Sequence, residues 1–192
     1  MARIPTLTTT RLVLRPFTLA DAPAVQVLAG APELASTTLA IPHPYEDGMA
    51  EEWIRGQQLV FDEGTALTFA VTLAASGELI GAAGLMNISR EHERAELGYW
   101  IAVPHWGRGF CTEGARAVLR FAFDNLALHR VHARHMARNP ASGRVLVKIG
   151  MLHEGVERHQ VRKWGVFEDL ECYGVLEDEW RRAAAAGTGE SR

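Results

Sequence analysis

Residues 95–123 read AELGYWIAVPHWGRGFCTEGARAVLRFAF. Residues 95–103 are a nearly apolar run of strand length and strand composition, and Pro104 stops it. A turn follows with glycine at 107 and 109. From Thr112 the spacing of Ala115, Val118, Leu119 and Ala122 puts one apolar face on a helix predicted over 112–126. Strand, glycine turn and helix start together aim free backbone N–H groups at an anion. Gly107 and Gly109 lack Cβ, so a phosphate can approach the main chain closely there. The same pattern also makes an ordinary turn, so the flanking residues have to decide between the two.

Composition excludes several classes. The chain has 192 residues, 47% of them apolar, which suits one globular domain over 1–192 with a tail that frays from about 183. The net charge of −3 gives no footprint for nucleic acid. No apolar stretch reaches membrane-spanning length, and the first residues hold no apolar leader, so the expected setting is cytoplasmic with no membrane partner. Cys111 and Cys172 have no metal-type spacing. His129, His132 and His135 fall on a predicted strand, 129–137, where His132 points away from the other two; no metal is expected. His135 reads as a hydrogen-bonded core histidine.

Working outward, residues 10–17 form a first strand ended by Pro16, and 18–30 a helix opened by Thr18 and Asp21. Residues 31–44, with three prolines, read as a loop, and 45–63 as a helix. Tyr45 and Trp53 there are packing residues first and substrate contacts second. Strands follow at 66–74 and 78–88, completing an antiparallel meander with the strand at 95–103. Asn139 caps a helix that Gly150 ends, and strands at 152–161 and 167–176 close the chain.

Three segments carry a family resemblance. They are the Arg-Leu-x-Leu-Arg-Pro opening at Arg11, the Trp106-Gly107-x-Gly109-Phe110-x-Thr112-Glu113 turn, and Asn139-x-x-Ser142 followed by Lys148-x-Gly150-Met151. Together they resemble the GNAT superfamily of N-acetyltransferases, in particular its RimJ/RimL-like branch, over roughly residues 11–180. The resemblance implies an α/β (α+β) fold with a mixed sheet of six to seven strands, helices on both faces, and two central parallel strands, 95–103 and 129–137, that splay apart. Acetyl-CoA would be the co-substrate. Its pantetheine would meet the main chain of Ile101, Ala102 and Val103. Its diphosphate would rest on Trp106, Gly107, Arg108, Gly109, Phe110, Cys111 and Thr112. Asn139 and Ser142 would hold the arm near the thiol. Dimers are frequent in that family, and the sequence leaves the oligomeric state open.

The implied chemistry is attack of a primary amine on the acetyl thioester. Freeing a protein α-amine of its proton at pH 7 costs about 1 kcal/mol, a lysine about 4–5 kcal/mol, so an N-terminal acceptor needs only a modest base. Glu96 is the candidate base, since it sits in a strand with both faces apolar, where burial favours its neutral form; the alternative is pairing with a nearby arginine. Ser142 is the candidate acid, or simply a helix-start hydroxyl. Many GNAT enzymes place a tyrosine acid where Leu146 stands here, with Tyr173 in reserve. A strand N–H near Ile101 would face the acyl oxygen. Glu113 reads as a helix-dipole partner and Cys111 as packing. The expected acceptor is a protein N-terminus; the alternatives are a small amine (amino acid, polyamine or aminoglycoside) or a non-catalytic acyl-CoA-binding module.

Overall fold

The computed structural model describes residues 3–187. Eight strands form one sheet: β1 (Leu7–Thr8), β2 (Leu12–Arg15), β3 (Leu67–Leu73), β4 (Leu79–Ser89), β5 (Arg94–Ile101), β6 (Arg130–Met136), β7 (Leu152–Lys163) and β8 (Val166–Leu176). Their order across the sheet is β1-β2-β3-β4-β5-β6-β8-β7. All neighbours pair antiparallel except β5 and β6, which are parallel. The two-residue β1 takes the sheet past the six to seven strands expected; it is too short to leave a periodic signal.

Among the described residues six α-helices accompany the strands: α1 (Ala22–Ala29), α2 (Pro32–Thr37), α3 (Met49–Asp62), α4 (Phe110–Asp124), α5 (Pro140–Lys148) and, after β8, α6 (Glu177–Gly187). Side chains alternate across each strand, so one sheet buries two apolar layers. Leu67, Phe69 and Val71 of β3 meet Ala115, Val118, Leu119 and Ala122 of α4 on one face. Ala70, between them, faces Val25 of α1 and Ile54 of α3 on the other. Each fully buried leucine-sized side chain stabilises this arrangement by about 1.5–3 kcal/mol.

Three boundaries correct the sequence reading. Residues 31–44 contain α2, because Pro32 stands at a first-turn position, where its missing N–H costs nothing. The strand at 95–103 ends at Ile101, and Val103 opens a short 3-10 turn with Pro104. Residues 183–187, expected to fray, continue α6; residues 188–192 of that tail lie outside the described residues. Asp21 does open a helix as its spacing suggested. It accepts from Thr18 N at 2.8 Å and from Arg15 Nη2 at 2.7 Å.

Candidate active site

β5 and β6 pair over only three rungs, Arg94↔Arg130, Ala95↔Val131 and Glu96↔His132. Beyond Glu96 they part, as the resemblance implied. The gap opens into a cavity of about 910 Å³ that reaches both sheet faces, from Trp53 and Tyr45 on the α3 side to Cys111 and Ser142 on the α4 and α5 side.

Register decides which main-chain groups face this gap. Ala102 N–H bonds Ile80 O at 2.8 Å, so the even-numbered residues of β5 pair with β4. The groups of Leu97, Tyr99 and Ile101 therefore point toward β6 and the gap. Ile101 lines the cavity, although its carbonyl already accepts from Trp106 Nε1 at 2.5 Å. Ala102 and Val103 do not line the cavity. Ala102 is fully buried with its N–H spent on β4, and Val103 has left the strand.

The turn after β5 ends at Gly109, which adopts φ 80° and precedes α4 with no side chain capping the helix. The first N–H groups of α4 are thus without intrahelical partners, an arrangement that favours negative charge. Trp106, Gly107, Gly109, Phe110, Cys111 and Thr112 all line the cavity here. Arg108 does not. Its carbonyl accepts from Arg11 Nη1 at 3.0 Å, and its guanidinium lies beside His105 and over the Phe110 ring. Glu113 does more than face a dipole: it takes Thr9 Oγ1 at 2.6 Å, Arg11 N at 2.8 Å and Arg11 Nε at 2.7 Å, locking the start of the chain to the turn. Burial pushes the Cys111 thiol up to about 12, which keeps it protonated.

Glu96 is 6% exposed and fully engaged. Arg134 Nε reaches Oε1 at 3.2 Å and Nη2 reaches Oε2 at 3.3 Å. Asn87, placed by a bulge in β4, donates to Oε2 at 3.0 Å. His132 Nε2 stands 3.9 Å away, and burial holds this imidazole below its ordinary range against the pull of Glu96. The fold thus pairs Glu96 with an arginine and also leaves it lining the cavity.

Across the sheet, Ser142 Oγ lies 2.9 Å from Tyr99 Oη, which also donates to Ser142 O at 3.2 Å. Burial raises the Tyr99 pKa above the usual phenol value, so its O–H persists as a donor. Asn139 caps α5 through Oδ1 on Ser142 N at 3.3 Å. His135, 6% exposed, bonds Met136 O through Nδ1 at 2.9 Å, as a core histidine should, but its Nε2 has no partner. Tyr173 stacks on His135 and does not line the cavity. No group of three or more metal-ligating side chains gathers among the described residues, and no helix there is long and apolar enough to cross a membrane.

Tyr99, Arg134 and Asn87 are site residues that the sequence reading missed. Tyr99 carried a signal, a polar aromatic inside the apolar strand, and the parity of β5 would have placed it opposite Glu96.

A sheet split between central parallel strands, with an uncapped helix end beside the split, is built to hold an elongated anionic ligand. The model of the acetyltransferase (GNAT) domain matches residues 11–152. The uncharacterized N-acetyltransferase YoaA of Bacillus subtilis (strain 168) is 30% identical over 172 residues, spanning 90% of this chain and 97% of YoaA. Mycobacterium smegmatis RimJ, solved in complex with CoA-disulfide, is similar at a TM-score of 0.84 and 23% identity over 96% of this chain and 95% of RimJ. RimL, a ribosomal L7/L12 alpha-N-protein acetyltransferase solved with coenzyme A, gives 0.83 and 19% over 91% and 99%. The chain belongs to the GNAT N-acetyltransferases, acetyl-CoA-dependent enzymes, and has their fold.

Proposed function

We propose that this enzyme acetylates a protein N-terminal α-amine by direct attack in a ternary complex, in the manner of the RimJ/RimL branch. One observation carries the reading. A single cavity passes through the sheet where β5 and β6 part, with Glu96 on one face and the Tyr99–Ser142 pair on the other.

The residues fit acetyl-CoA. The uncapped start of α4 with Gly107 and Gly109 suits a diphosphate, and the gap-facing groups of Leu97, Tyr99 and Ile101 suit an amide-bearing arm. Bound there, acetyl-CoA supplies an activated acyl carbon and a thiolate leaving group. Glu96 takes the ammonium proton, directly or through one water. For an α-amine this deprotonation costs about 1 kcal/mol at pH 7. A gap-facing N–H near Ile101 meets the acyl oxygen as charge grows on it. Ser142, held by Tyr99, gives its proton to the departing sulfur, and a solvent proton from the cavity restores the hydroxyl.

A protein acceptor is favoured by the tip of the β7–β8 hairpin. Lys163 Nζ donates to Ile41 O at 2.9 Å, joining the tip to the cavity wall. Trp164, Val166 and Phe167 beside it are more than half exposed, an apolar collar suited to polypeptide. RimL, which shares the fold, is an alpha-N-protein acetyltransferase.

The test is incubation of labelled acetyl-CoA with a panel of peptides and small amines. Label should reach peptide α-amines, and Glu96→Gln should cut turnover by about 100-fold or more while CoA affinity holds. Transfer to small amines alone would overturn the protein-acceptor reading.

A further inference from the structure

The acceptor side of the cavity has a floor on β5. Glu96, Gly98 and Trp100 share one face of that strand because side chains alternate along it. Trp100 packs against the layer under α1 and α3, which fixes which face this is. Gly98 contributes no side chain, and Met86 Cε lies 2.6 Å from where its Cβ would stand. Leading away from the Glu96 carboxylate, the floor is therefore a thioether methyl and then an indole, over about 13 Å.

The opposite wall comes from Leu39, Ile41, Tyr45 and Trp53. It is tied down from three places: Lys163 to Ile41 O, Arg138 Nη2 to Ser36 O at 2.5 Å, and Asn139 Nδ2 to Thr37 O at 3.4 Å. Carboxylates are scarce. Among the described lining residues they are Glu52 and Glu96, and Glu96 already faces Arg134. A polycation placed here would bury ammonium groups without counter-charges. An apolar substituent would displace water from aromatic and thioether surface, which is favourable.

We propose that the acceptor is a monoamine bearing a bulky apolar group within a few bonds of its nitrogen, and that Met86 and Trp100 read that group. For a peptide this means a large apolar first residue. The inference rests on the acetyltransferase reading above and sharpens its substrate class.

The experiment measures kcat/KM by CoA release for peptides identical except for a first residue of Phe, Leu, Ser or Ala, with spermidine alongside. The Phe and Leu peptides should exceed the Ser peptide by at least about tenfold, with spermidine slowest. Trp100→Ala should erase most of that ratio. The wild-type panel needs no variant, so a poorly folding Trp100→Ala does not blunt the test. Equal or faster turnover of the Ser or Ala peptide, or of spermidine, overturns the inference and leaves the transferase reading intact. Transfer to no amine at all, with CoA still bound, overturns both.

Discussion

Arg134 reaches across from β6 to grip both carboxylate oxygens of Glu96, at 3.2 and 3.3 Å, just past the last rung that joins β5 to β6. The ion pair thus stands at the apex of the gap. It orients the carboxylate, and it links β5 to β7 through a second contact, Arg134 Nη1 to Glu157 Oε2 at 3.3 Å. Burial alone would lower the Arg134 pKa, but its bonds to Glu96 and Glu157 outweigh this and raise it.

Replacing Arg134 tests that apex. Arg134→Ala leaves Glu96 buried with Asn87 as its remaining close donor. Stability should fall by about 1–3 kcal/mol, read as a lower urea midpoint, and turnover should fall with it. Arg134→Lys should recover part of the stability and little of the turnover, because an ammonium cannot hold both oxygens in the guanidinium geometry.

The Tyr99–Ser142 pair makes a second prediction. If Tyr99 fixes Ser142 so that the serine proton faces the gap, Tyr99→Phe should lower kcat by about tenfold with CoA affinity retained. Ser142→Ala on top of it should cost little more, since the two hydroxyls act as one unit. Additive losses in the double variant would separate them.

Asp21 sets a pH dependence of stability. Burial raises its pKa, but the bonds from Arg15 and Thr18 outweigh burial and hold the carboxyl below its ordinary value. A depressed folded-state pKa gives stability that is complete above the unfolded value, about 3.9, and is lost as pH falls through the folded one. Asp21→Asn should therefore destabilise by about 1–3 kcal/mol at neutral pH. The gap between variant and wild type should narrow below about pH 4, measured by urea unfolding across pH.

Gly143 brings α5 close against the sheet. A Cβ there would lie 2.7 Å from His135 Nε2 and 3.2 Å from Tyr173 Oη. Gly143→Ala should destabilise by about 1–3 kcal/mol and shift the start of α5, carrying Ser142 away from Tyr99. Thermal unfolding reads the first effect. A fall in kcat larger than the loss of folded protein explains reads the second.

Much of the fold was legible in the chain because its signals are local. Pro16 ends a strand, Asn139 and Gly150 bracket a helix, and the stripe Ala115–Val118–Leu119–Ala122 announces the helix behind the glycine turn. These follow from the dihedral limits of proline and glycine and from the two periods of side-chain direction. They were enough to order the elements, to place Glu96 in an apolar strand, and to mark the turn at Gly107 and Gly109. α2 was missed because three prolines outweighed a six-residue helix.

What the sequence could not hold is which groups meet. Glu96, Asn87 and Arg134 come from three strands, and Tyr99 and Ser142 are 43 residues apart. Nor could it say that Ala102 gives its N–H to Ile80 while Tyr99 faces the gap. Main-chain direction alternates along a strand, so it is fixed only once β5 has chosen its register on β4, and that choice belongs to the packed sheet as a whole.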